Sequence, residues 1–208
     1  RFIAEGGAID GRDLFDNTPL HIAKDTATLI ALLDLGADGT AVNSFHETPL
    51  HIVMRDQDRF DPPVINRLLR ARADINATDR RGDTPLHIAA RSRDFWANTL
   101  TRYLLKQGAN IDAQNQRGNT PLHLAVMGAR HNEFGLEDAT WATISFGASF
   151  AVRYLNDGLG KSSLNMIELL LAAGARDDLR NNDGQTPLDV ARADKKNSWV
   201  LEALTPPH

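Results

Sequence analysis

The chain contains no cysteine, which excludes disulfide bridges, thiolate-bound zinc and a cysteine nucleophile, and suits a reducing compartment. Nowhere does it run to about 18 consecutive apolar residues, so no stretch reads as a membrane-crossing helix. No secretory leader pattern is visible. Positive charge is not in excess: 23 Lys and Arg stand against 27 Asp and Glu, a net charge of -4, whereas general nucleic-acid binders are strongly basic. No nucleophile elbow, independent Ser-His-Asp set or nucleotide loop after a strand is present. The run Gly158-Leu159-Gly160-Lys161-Ser162 lacks the spacing of a phosphate loop. His46, His131 and His208 show no metal-ligand spacing, and His131, Glu133, Glu137 and Asp138 form only a loose polar group. What remains, 42% hydrophobic and 24% charged over 208 residues, is the composition of a folded chain.

What is abundant is repetition. Thr-Pro-Leu-His occurs at Thr18–His21, Thr48–His51, Thr84–His87 and Thr120–His123, and Thr186-Pro187-Leu188-Asp189 is a fifth copy. Twelve residues before each threonine, an apolar helix-like run ends at Gly6, Gly36, Arg72, Gly108 or Gly174. Chance does not hold five such intervals fixed. The copies themselves are 30, 36, 36 and 66 residues apart, so the length variation lies between the two helices of each unit.

The clearest unit runs from Asp79 to Gly108. Asp79–Asp83 predicts a turn with Gly82 at positive φ. Thr84 caps a first helix and Pro85 takes its first position, where a missing N–H costs nothing. Leu86, Ile88 and Ala89 face the stack, a second helix carries Leu100, Leu104 and Leu105, and Gly108 ends it as a left-handed cap. An array of about 33-residue units with this motif resembles the ankyrin repeat family, over nearly the whole chain except one central stretch. The resemblance implies an all-α ankyrin-repeat solenoid of about five helix-turn-helix units with short hairpin-like turns and one helical insertion. It implies a single domain, 1–208: a partial repeat 1–12, units at about 13–42, 43–78, 79–114 and 115–180, and a capping unit 181–208. In this family the motif histidine hydrogen-bonds the threonine hydroxyl and nearby backbone, so His21, His51, His87 and His123 are expected to be structural. Because Phe2-Ile3 fall where later units place paired aliphatics, the sequence reads as starting inside the second helix of a preceding repeat, as a fragment would.

The fourth unit carries roughly 30 additional residues, an insertion at about 127–164. Phe134, Trp141, Phe146, Phe150 and Tyr154 enrich it in aromatics, and Trp141, Ile144, Ala148, Val152 and Leu155 follow helical spacing. One or two helices packed on the stack are expected there. An insertion is favoured over a degenerate sixth repeat because only 16 residues separate Gly158 from Gly174, against 26 between Gly82 and Gly108.

The resemblance implies a protein-binding scaffold that works by surface complementarity, without catalysis, cofactor or metal, as an intracellular, cytoplasmic monomer that binds neither nucleic acid nor membrane. Partners of this fold meet the turn tips and the concave face of the first helices. Aligned through the fixed interval, the tips are Leu14-Phe15, Ser44-Phe45, Arg80-Arg81, Gln116-Arg117 and Asn182-Asp183. Leu14, Phe15, Phe45, Arg80, Arg81, Arg117 and the insertion's Trp141 are the expected partner-binding residues, since aromatics and arginines dominate interface hot spots. One alternative makes the chain the targeting module of an enzyme whose catalytic domain lies upstream, resembling bacterial effectors delivered into a host cell. Another makes it an inhibitor resembling ankyrin regulators of transcription factors.

Overall fold

The computed structural model describes residues 8–56, 63–92, 97–128, 162–193 and Leu204. Among these, eight helices occur and no strands: α1 (Thr26–Asp34), α2 (Pro49–Arg55), α3 (Pro63–Arg70), α4 (Pro85–Arg91), α5 (Ala97–Lys106), α6 (Pro121–Gly128), α7 (Ser162–Ala172) and α8 (Pro187–Ala193). The helices that follow the Thr-Pro motif form one layer, in which α2 packs on α4, α4 on α6 and α6 on α8. The second helices form the other, with α1 against α3 and α5 against α7.

The two layers bury their residues differently, and the sequence shows why. In α4 every residue from Pro85 to Ala90 is buried, and in α6 every residue from Pro121 to Val126. These helices are apolar all round because neighbours cover them on several sides. The second helices are amphipathic. In α3, Val64, Ile65 and Leu68 are buried while Arg70 is exposed. Leu50, Leu68, Leu86, Leu100 and Leu104 belong to one continuous core under units 1 to 3. Leu122, Ile167, Leu170 and Leu204 belong to a second, under units 3 to 5. Leu105 borders both.

The motifs at Thr48 and Thr84 each close a reciprocal capping box, with the histidine on the threonine hydroxyl and backbone as the resemblance implies. In unit 3 the Thr84 backbone N–H donates to His87 Nδ1 at 3.1 Å, and the Thr84 hydroxyl lies 2.9 Å from the same nitrogen. Histidine takes the place that glutamate or glutamine usually holds in such a box. A backbone N–H can only donate, so Nδ1 is the bare nitrogen and Nε2 carries the proton. That proton reaches the next unit. His21 Nε2 donates to the Glu47 carbonyl at 2.9 Å, His51 to Asp83 at 3.1 Å, His87 to Asn119 at 3.0 Å and His123 to Gln185 at 3.0 Å. The four histidines are buried and act structurally. Asp189 reproduces the local half of the box, accepting from the Thr186 N–H at 3.0 Å, but a carboxylate has no donor with which to reach onward.

Unit 1 departs from the helix-turn-helix pattern. Its motif forms a single turn, with His21 N–H donating to the Thr18 carbonyl at 2.9 Å, and no helix forms before α1. Asp25 already caps α1, its carboxylate accepting from the Thr28 N–H at 2.7 Å. Only three residues separate His21 from that cap, too few for a second helical turn before the chain reverses.

Candidate protein-interaction surface

A stack of tips is built from side-chain geometry that recurs in every unit. Asp13, Asn43, Asp79, Asn115 and Asn181 each accept at Oδ1 from the backbone N–H two residues on and from the N–H four residues on, at 2.7–3.1 Å. This Asx geometry folds five residues into a tight turn. The fourth residue of each turn has positive φ: Asp16 and His46 at 58°, Gly82 at 75°, Gly118 at 71° and Gly184 at 74°.

Successive tips are joined by one backbone bond each. The Ser44 N–H donates to the Phe15 carbonyl at 2.9 Å, Arg80 to Phe45 at 3.0 Å, Gln116 to Arg81 at 3.0 Å and Asn182 to Arg117 at 2.9 Å. The last bond joins residues on either side of the long interval, and His123 bridges the same gap to Gln185. Beneath the tips runs an amide ladder, with Asn43 Nδ2 donating to Asn17 at 3.0 Å, Asn115 to Asp83 at 2.6 Å and Asn181 to Asn119 at 3.0 Å. The tips therefore form a fixed column.

Its surface chemistry changes along its length. Phe15 and Phe45 stack on one another, with ring centroids 6.4 Å apart and planes 22° apart, and this contact leaves them 58% and 50% exposed. Leu14 beside them is 99% exposed. Val42 and Ile22 extend the exposed apolar residues of these units. Arg80, Arg81 and Arg117 are exposed, as are Asn182 and Asp183. The second tip residue thus runs Phe15, Phe45, Arg81, Arg117, Asp183. Of the insertion expected at about 127–164, residues 129–161, Trp141 among them, lie outside the described residues, while residues 127–128 end α6 and residues 162–164 open α7.

One feature escaped the sequence reading. A groove of about 370 Å³ opens at the junction of units 3 and 4, lined by Arg81, Arg91, Arg117, Leu124 and Met127 among others. The signal was present as an eight-residue register, Glu47 with Arg55, Asp83 with Arg91 and Asn119 with Met127, but only packing shows that these positions share a wall. Among the described residues, no group of three or more His, Cys, Asp or Glu side chains is placed to hold a metal ion, and no helix is long and apolar enough to cross a membrane.

Residues 55–134 match the family model described as Ankyrin repeats (3 copies). No curated protein matches the chain.

Proposed function

We propose, from the premise that the chain belongs to the ankyrin-repeat family and so is a protein–protein interaction module, that it captures its partner on the column of tips. The observation that carries this reading is the stacked, half-exposed Phe15–Phe45 pair flanked by Leu14. Two large apolar rings left in water at consecutive tips cost stability that the fold does not recover. Covering the exposed part of each ring on a partner contributes about 2 kcal/mol at roughly 25 cal/mol per Å². The tips are preorganised by the backbone and amide ladders, so little conformational entropy is lost on binding. Recognition is by shape and polarity, with no bond made or broken.

The test uses the chain as bait. Partners retained from a lysate are quantified by mass spectrometry with the native chain, with Phe15→Ala/Phe45→Ala, and with Arg102→Ala/Lys106→Ala on exposed positions of α5. The phenylalanine double variant should lose a specific partner, with affinity reduced about 30-fold or more, while the α5 variant keeps it. Retention by the phenylalanine variant and loss by the α5 variant would place the binding face on the outer layer instead.

A further inference from the structure

We infer that the groove between units 3 and 4 receives an acidic segment of the partner protein, its carboxylates meeting Arg81 and Arg117 and an apolar side chain resting on Leu124 and Met127. This deepens the proposed function and rests on its reading that the partner is a protein.

The argument starts from the eight-residue register on the inner face. In unit 2, Glu47 and Arg55 are in direct ionic contact. In unit 3, Arg91 lies 3.9 Å from Asp83, whose carboxylate also accepts from Asn115 Nδ2 at 2.6 Å. Both carboxylates are buried, and each is matched by an arginine of its own unit. In unit 4 the acid becomes Asn119 and the arginine becomes Met127. Asn119 is already engaged, accepting from Asn181 Nδ2 at 3.0 Å. Both members of the pair are therefore neutral in unit 4, and the two further arginines of this groove, Arg81 and Arg117, come from the tips. Neither has a side-chain partner among the described residues.

The groove thus holds three guanidinium groups against one carboxylate, above an apolar floor of Leu124 and Met127. Guanidinium pairs bidentately with carboxylate, which supplies direction as well as attraction. The floor supplies the apolar contact that a purely ionic ligand would leave unused. A nucleic-acid backbone fits less well. The basic stretch is only two tips long and is bounded by Phe45 on one side and Asp183 on the other, too short a track for a row of phosphates. An acidic segment with one embedded apolar residue matches both the length and the floor.

The probe is a fluorescein-labelled pentapeptide, Glu-Glu-Leu-Glu-Glu, read by anisotropy against the full chain at low and moderate salt. A peptide with Gln for every Glu and a labelled oligothymidine are the comparisons. The acidic peptide should bind, weaken with salt, and lose about tenfold or more in affinity with Arg81→Gln/Arg117→Gln. Met127→Glu, which places a carboxylate on the floor, should also weaken it. Phe15→Ala/Phe45→Ala should leave peptide affinity unchanged while reducing capture of the whole partner, so the groove and the tips are scored separately. Equal binding of the Gln peptide, indifference to both groove variants, or preference for oligothymidine would overturn the inference. Loss of peptide binding in the phenylalanine variant alone would move the acidic segment to the tips.

Discussion

At the scale of single residues, the histidine of each motif does two jobs with two nitrogens, and each job has a measurable cost. His87→Ala removes the acceptor for the Thr84 N–H, leaving that buried donor unpaired, and the inter-unit donor to the Asn119 carbonyl, which keeps only the Asn115 N–H at 3.0 Å. The expected loss is about 2–4 kcal/mol, combining a broken cap with an orphaned buried group. Asp189→Ala removes a local cap and exposed contacts with Arg180 and Arg192, which contribute little in water, and should cost about 1 kcal/mol. Urea denaturation of both variants checks the pair, and equal losses would show that the inter-unit bond contributes nothing. The same chemistry predicts a pH dependence. Burial lowers the pKa of His21, His51, His87 and His123 below the ordinary imidazole value. The unfolded chain, with an ordinary value of 6.5, therefore binds more protons below that pH than the folded one. Stability is fully present above about pH 6.5 and falls as pH drops through it, by up to about 1.4 kcal/mol per pH unit for each histidine. Unfolding free energies measured from pH 7.5 to 5.5 should fall, and His87→Ala should lower the slope by one proton. A flat profile would contradict the neutral, Nε2-protonated assignment.

At the scale of elements, two kinds of left-handed position alternate along the chain and tolerate side chains differently. Helix ends at Gly36, Gly108 and Gly174 have φ near 90°, and a Cβ added at any of them meets nothing within 4 Å. That open space explains why the fourth such position holds Arg72, at φ 66°. The tips of units 3 and 4 are closed at Gly82 and Gly118, whereas the same position holds Asp16 and His46 in units 1 and 2. A Cβ on Gly82 falls 2.7 Å from the Gln116 backbone nitrogen, which is the donor of the tip-to-tip bond to Arg81. Gly108→Ala should therefore cost only the left-handed penalty, about 1–2 kcal/mol, while Gly82→Ala adds a clash that displaces the next tip. Arg72→Gly should relieve strain and raise stability by up to about 1 kcal/mol, offset in part by the freer unfolded chain. Thermal melts of the three variants order these effects, and a Gly108→Ala cost equal to that of Gly82→Ala would refute the packing argument.

At the scale of the whole molecule, each unit contacts only its neighbours, so stability is a chain of unit and interface contributions. Unit 1 contributes a turn where the others contribute a helix, and among the described residues its inner face leaves Ile22 58% exposed. Units 2 to 4 hold the inner helices that are buried on all sides. Native-state hydrogen exchange should therefore show amides of α1 opening at lower denaturant than those of α4, through partial rather than global unfolding. Simultaneous opening of α1 and α4 would mean that the array unfolds as one cooperative block.

The fold was legible in the sequence wherever local chemistry repeats. The Thr-Pro cap, the apolar helix spacing, the positive-φ turn position and the constant twelve-residue interval belong to one unit and appear five times in register. The aromatic and basic tips were legible too, because that interval aligns them. Three features were decided only by packing. The sequence of unit 1 contains the same motif as the others, but the short distance to Asp25 lets α1 begin before a first helix can grow. The stacking of Phe15 on Phe45 depends on how closely consecutive tips approach, which the inter-tip backbone bonds set. The groove joins Arg81 and Arg91 of one unit to Arg117, Leu124 and Met127 of the next, and its unmatched charge exists only because neighbouring units share a wall. A sequence repeat specifies what each unit is, because capping, turn and helix chemistry act within about ten residues. What adjacent units present together arises from contacts between residues 26 or more apart, and those become visible only once the stack has formed.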